Sequence, residues 1–136
     1  MNVLKTLSIV SLILFTCSCS SDDDSSSENT PSTSELLTTG KWYLESKTPG
    51  GFSDCEKNSS FKFNTNNTVD VENFDDSYGP CETQGTVNST YSLTGSTLTI
   101  ELGPDTVTAT INSISETTLN VTDNVGDTIV FDKVQG

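Results

Sequence analysis

The amino-acid sequence predicts an all-β protein, an eight-stranded antiparallel up-and-down barrel preceded by a short N-terminal helix. The first observation is that apolar and polar residues begin to alternate with a period of two at Lys41. The second is that this alternation recurs in eight segments, and the short turns between them join neighbouring antiparallel strands. Strands with one apolar face can close into a barrel, which removes exposed sheet edges. A two-sheet sandwich has the same periodicity and is the alternative.

Residues 1–18 have the features of a lipoprotein signal peptide. Lys5 precedes an apolar run at 7–15, which is too short for a membrane-spanning helix. The end of this segment resembles the lipobox of bacterial lipoproteins, in which a cysteine after small residues becomes the acylated first residue. Cys19 has the small residue expected immediately before it, so we favour it as the lipidation site. Cys17, with a leucine three places before it, is the alternative, and a plain cleaved signal is the remaining interpretation.

Residues 19–31 are predicted to form a lipidated, flexible, acidic tether, because this segment has almost no apolar side chain to pack. Palmitate and other acyl chains on one cysteine would hold the protein on a membrane, since each buried methylene contributes about 0.8 kcal/mol. The acidic run after the cysteine resembles the surface-export signal of lipoproteins in some Gram-negative bacteria. We therefore expect an outer-membrane, lipid-anchored, cell-surface protein, and a periplasmic location is the alternative.

The folded domain is predicted to span residues 32–136 and to begin with a short helix. Ser32 and Glu35 have the spacing of a capping box, and Gly40 is placed to end the helix in the left-handed conformation. In the first strand, the period of two places Trp42, Leu44 and Ser46 on the inner face.

The eight predicted strands cover 41–48, 59–65, 68–74, 84–94, 97–102, 106–114, 118–124 and 127–134. Their inward positions after the first strand are Phe61, Phe63, Val69, Val71, Val87, Ser89, Tyr91, Leu93, Leu98, Ile100, Leu102, Val107, Ala109, Ile111, Leu119, Val121, Ile129 and Phe131.

Two connections, 48–58 and 75–83, are longer than the others. They join the first strand to the second and the third to the fourth, so both should lie at the end of the barrel opposite the helix. Cys55 lies in one and Cys81 in the other, and an exported chain should pair them in a disulfide. A reactive free thiol is the alternative.

Several stretches resemble the lipocalin-like domain of bacterial surface lipoproteins, and the resemblance covers residues 35–134. They are Leu36-Leu37, Gly40-Lys41-Trp42, Asp54-Cys55-Glu56, Phe61-Lys62-Phe63, Gly79-Pro80-Cys81 and Thr97-Leu98-Thr99-Ile100. The resemblance implies an eight-stranded barrel whose interior holds a small hydrophobic molecule. Lipocalins stack an arginine over the tryptophan, but this chain has no arginine, and Lys133 is left to offer a weaker cation contact to Trp42. The chain is also short, so its cavity is expected to be small or filled.

Charge and composition exclude several functions. The net charge is −13 with no histidine, which argues against nucleic acid and against adhesion to anionic membranes by charge. No base is available to activate a serine, so we expect no enzyme activity and no cofactor. Asp123 to Asp127 faintly resembles a calcium loop, but a hairpin turn explains it better and we predict no metal site. Acidic side chains at the mouth are interpreted as a solvated rim rather than a site for a cation.

The aromatic side chains supply the candidate ligand-binding residues, which are Trp42, Phe61, Phe63, Tyr91 and Phe131. They either line a pocket for a hydrophobic or amphiphilic guest or fill the barrel. The leading hypothesis is therefore a monomeric, membrane-anchored lipocalin-like barrel that binds or carries a small hydrophobic ligand. The alternative is a non-enzymatic protein-binding module of the cell envelope, an inhibitor or adhesin that presents acidic loops to a basic partner.

Overall fold

The structure is a computed structural model that describes residues 30–136. The predicted signal peptide, both acylation candidates and nearly all of the tether lie outside the described residues. The elements are α1 (Thr33–Leu37), β1 (Lys41–Thr48), a 3-10 turn (Glu56–Asn58), β2 (Ser60–Phe63), β3 (Thr68–Asp75), β4 (Glu82–Thr94), β5 (Thr97–Leu102), β6 (Asp105–Ile114), β7 (Thr118–Asp123) and β8 (Thr128–Asp132).

The eight strands form one closed antiparallel barrel in chain order, in which β1 pairs with both β2 and β8. The predicted fold class is confirmed, and the sandwich alternative is wrong because the first and last strands are hydrogen-bonded neighbours. No helix among residues 30–136 has the length and apolar character needed to cross a membrane.

The helix α1 begins with the predicted capping box. The Glu35 backbone N–H donates to Ser32 Oγ at 3.2 Å, and the Ser32 N–H donates to Glu35 Oε2 at 2.7 Å. Its end differs from the prediction, because the cap is Thr38 rather than Gly40. The Thr38 hydroxyl donates to the Ser34 and Glu35 carbonyls, so the last turn is satisfied without a left-handed residue. Gly40 has a positive φ of 132° where the chain turns into β1.

The strand β1 contains a bulge that reverses the predicted orientation of its second half. The register with β8 runs through Leu44 opposite Phe131, then shifts so that Ser46 lies opposite Val130 and Lys47 opposite Ile129. The predicted inward position of Ser46 is therefore wrong, and Ser46 is exposed. One extra residue in a strand moves every later side chain to the other face. Because directly opposite residues share a face, Lys47 lies on the inner face with Ile129.

The core lies inside the barrel and is closed at the helix end. Trp42 and Leu37 are fully buried there, and twelve apolar side chains form one cluster. Two predicted inward residues, Val87 and Val107, lie opposite buried inward residues but are themselves 52% and 40% exposed. Both lie toward the loop end of their strands, where the interior meets solvent. The barrel is therefore sealed at one end and accessible at the other.

The predicted disulfide between Cys55 and Cys81 is confirmed, with Cα atoms 5.5 Å apart. It joins the β1–β2 and β3–β4 connections at the loop end, as the strand order requires. In the chain-entropy account, closing a loop of 26 residues stabilises the fold by about 3–4 kcal/mol. The two longest connections are thereby fixed to each other beside the mouth of the barrel.

Candidate ligand-binding site

An apolar cavity of about 100 Å³ lies inside the barrel. Side chains from five strands surround it, and all but one of them are apolar. The lining residues are Phe61, Phe63, Leu98, Ile100, Val107, Ala109, Leu119, Val121, Asp123, Ile129 and Phe131. Phe61, Phe63 and Phe131 belong to the predicted ligand-binding set, whereas Trp42 and Tyr91 lie outside the lining.

The exposure of the lining residues shows where the cavity opens. Leu119, toward the helix end of β7, is 1% exposed, whereas Val107, near the loop end of β6, is 40% exposed. Asp123 and Ile129 flank the β7–β8 turn at the same loop end, and both are partly exposed. A molecule would therefore enter from the loop end, on the side away from α1.

Aromatic contacts fix one wall of the cavity. The Phe61 ring meets Phe131 edge to face, with centroids 5.5 Å apart, and lies 6.5 Å from Phe63. Phe63 packs edge to face against Tyr91 at 5.0 Å. The Tyr91 hydroxyl donates to the Asn64 carbonyl at 3.0 Å, and burial raises the pKa of Tyr91. Such pairs contribute about 0.5–1.5 kcal/mol each beyond the area they bury, so they stabilise this wall.

Trp42 closes the helix end rather than lining the cavity. Its indole Nε1 donates to the Leu37 carbonyl at 2.8 Å, which satisfies one orphan carbonyl of α1. Lys133 Nζ lies 3.2 Å from the centroid of the Trp42 ring, so the cation contact expected from the resemblance is present. The ammonium is buried without a hydrogen-bond partner among residues 30–136. Burial lowers the pKa of Lys133 to about 8.

The mouth of the cavity carries the polar groups. Asp123 is the one charged lining residue, and its Oδ1 accepts from the backbone N–H groups of Val125 and Asp127. These bonds form the β7–β8 hairpin turn, as the sequence predicted for this segment. Lys47 Nζ lies 2.7 Å from Asp127 Oδ2. This hydrogen bond, together with the Asp127 charge, raises the pKa of Lys47, and the nearby charges of Asp123 and Glu56 add to it.

Sequence reasoning missed Asp123 and Lys47 as residues of the mouth. A signal for Asp123 was present, because it continues the period of two set by Leu119 and Val121. No comparable signal marked Lys47, whose orientation follows from the bulge in β1. No group of three or more His, Cys, Asp or Glu side chains among residues 30–136 is arranged to hold a metal ion.

Comparison with known proteins identifies one family and a few similar structures. Residues 38–121 match the family described as a lipocalin-like domain. A crystal structure of a lipocalin-like protein from Bacteroides uniformis ATCC 8492 is 20% identical and covers 72% of this chain and 99% of that protein, with a TM-score of 0.56. This likeness concerns the fold. The complex of bovine odorant-binding protein with undecanal is 20% identical over 79% of this chain and 76% of that protein. Its TM-score of 0.44 is too low to support an argument. No curated protein matches the chain.

Replacement of Lys133 by methionine tests the buried ammonium over the Trp42 ring. The pKa of Lys133 is about 8 in the folded protein, and its ordinary value is 10.5. Between these two pH values, the unfolded chain binds more protons than the folded protein. Over this pH range, the free energy of unfolding of the wild type should therefore rise with pH relative to that of Lys133→Met. Below pH 8, the difference between the two proteins should not change with pH. Urea unfolding followed by circular dichroism at several pH values measures this difference.

The exposed Lys62→Met variant is the matched control for removal of one positive charge from the surface. If the difference between wild type and Lys133→Met does not change with pH, Lys133 has an ordinary pKa and the ammonium is solvated.

Proposed function

The chain belongs to the lipocalin-like domain family, and from that premise we propose that its barrel binds a small apolar molecule or the alkyl end of an amphiphile. The observation that carries the proposal is the apolar cavity of about 100 Å³ inside the barrel. Its walls present no hydrogen-bonding side chain to a ligand except at the mouth. The hydrophobic effect is therefore the main driving force for binding there.

The volume limits the size of the guest. Pockets for drug-sized ligands have volumes of about 300–1,000 Å³, and an engineered apolar cavity of about 150 Å³ holds benzene. A cavity of about 100 Å³ is smaller than either. The guest is therefore slender, such as a short hydrocarbon or a short stretch of alkyl chain, and the rest of an amphiphile stays at the mouth.

The N-terminal segment indicates where the protein is located. We propose that the mature protein begins at an acylated Cys19, with Cys17 as the alternative, and is held at the outer face of the outer membrane. The lipobox-like sequence and the acidic tether support this. The tether joins the barrel at α1, opposite the cavity mouth. An anchor attached at that end leaves the mouth itself free of the attachment.

A second candidate, a protein-binding module of the cell envelope, is favoured by one observation. Tyr78, in the disulfide-linked β3–β4 connection, is fully exposed, and Val125 in the β7–β8 turn at the same end is 76% exposed. Aromatic side chains are enriched where proteins bind each other. The two candidates differ in what they require of the interior, because a protein-binding surface does not need the cavity.

Cysteine substitution tests the anchor. In cells supplied with labelled palmitate, we expect the label on the wild type and on Cys17→Ala, and none on Cys19→Ala, since the lipid is attached at that cysteine. Label on Cys19→Ala and none on Cys17→Ala would move the site to the alternative cysteine. Label on none of the three proteins would contradict the lipid anchor.

A series of straight-chain alcohols tests the cavity. Each added methylene should tighten binding about fourfold, the equivalent of about 0.8 kcal/mol, until the cavity is filled. Further carbons should then add little, because they remain in water. Isothermal titration calorimetry measures each dissociation constant.

The matched variants are Ala109→Leu, which fills the cavity, and Thr110→Leu, which adds a similar group on the exposed outer face of the same strand. Ala109→Leu should weaken the binding of the best-fitting alcohol roughly tenfold, because the leucine side chain occupies space for more than one methylene. Thr110→Leu should leave this affinity unchanged. No binding across the whole series, with folded protein, would contradict the carrier proposal and favour the protein-binding module.

A further inference from the structure

The cavity mouth contains a carboxylate that is held in place with one oxygen unused. Asp123 Oδ1 accepts backbone N–H groups of Val125 at 3.0 Å and Asp127 at 2.9 Å. Its other oxygen makes no hydrogen bond to residues 30–136 within the structure. Asp123 is among the residues that line the cavity and lies at its loop end, so its charge is near the opening through which the polar end of a bound amphiphile would emerge.

Lys47, a cation near this carboxylate, is already paired with another acidic side chain. Lys47 Nζ is 2.7 Å from Asp127 Oδ2, and Asp123 and Glu56 are close enough to stabilise its charged form. The charges of three carboxylates thus act on a single ammonium, and the local charge is negative. The whole chain, with a net charge of −13, adds to the same sign. A positive headgroup is therefore attracted to the mouth and a negative one is repelled.

We propose that the cavity selects cationic amphiphiles, with the alkyl chain in the barrel and an amine headgroup paired with Asp123. The inference rests on the proposed function, because it names the headgroup of a ligand whose chain the cavity takes. The ammonium has hydrogen-bond donors to offer, and Asp123 has an acceptor without a partner. This pairing is charge-assisted, which makes it stronger than a bond between neutral groups.

The carboxylate of a fatty acid is disfavoured at the mouth. It faces Asp123 as a like charge, and at Lys47 it would have to share an ammonium that is already paired with Asp127. An alcohol has neither the attraction nor the repulsion. For a chain of one length, the expected order of affinity is therefore amine, then alcohol, then carboxylate.

The experiment compares an n-alkylamine, an n-alkanol and an n-alkanoate of the same chain length at neutral pH and low salt. At a partly exposed site, one charge-assisted hydrogen bond is equivalent to roughly a tenfold change in affinity. We expect the amine to bind roughly tenfold more tightly than the alcohol, and the alkanoate to bind more weakly than the alcohol. Added salt should reduce the first difference by screening the charges.

The Asp123→Asn variant isolates the charge. Its amide oxygen can still accept the two backbone N–H groups of the turn, so the fold should be kept. We expect the advantage of the amine over the alcohol, measured in the same variant, to disappear. Asp76→Asn, in the exposed β3–β4 connection, removes the same charge away from the cavity and should keep the preference.

A second variant, Lys47→Met, tests whether the Lys47 ammonium competes with the amine headgroup for the carboxylates at the mouth. Removing the competing ammonium should increase the preference for the amine. A fall in amine binding, or an alkanoate that binds as tightly as the amine in the wild type, would overturn the inference. If alcohols bind and the amine is no better, the headgroup assignment fails and the carrier proposal stands. If none of the three ligands binds, the carrier proposal itself fails.

Discussion

The pairing of β1 with β8 is the constraint on which the rest of the structure depends. Leu44 lies opposite Phe131 across this pair, and the hydrogen bonds close the sheet into a ring. Closure removes the two edges that an open sheet of eight strands would expose. It also gives every strand an interior face, so a chain with only 32% apolar residues can build one continuous core. The cavity exists because the same ring encloses slightly more space than its side chains fill.

The two ends of the barrel differ because different local interactions act on them. At the helix end, Trp42 bonds the Leu37 carbonyl and lies under Lys133, which seals the base. At the loop end, the disulfide holds the long connections beside the opening, and charged side chains replace apolar ones. An apolar interior with one charged opening is the arrangement that an amphiphile requires. The N-terminal helix lies at the sealed end, so the chain enters the barrel on the side opposite the opening.

Much of this fold could be predicted from the sequence, because its information is local. The period of two located every strand to within a few residues, and the short turns fixed the strand order. The disulfide followed, because strand order places Cys55 and Cys81 at one end. The bulge in β1 could not be predicted, since a one-residue shift in register leaves no mark in the alternation of Leu44, Ser46 and their neighbours. The cavity volume could not be predicted either, because it depends on how side chains from five strands pack.

The central claim is that the closed barrel encloses an apolar, accessible space, and xenon tests it directly. Xenon binds apolar cavities that water leaves empty. In crystals of the protein pressurised with xenon, the account predicts an anomalous scattering peak between Phe61, Leu98 and Phe131, with the barrel unchanged. An interior filled by side chains with no xenon, or one occupied by ordered water, would contradict it.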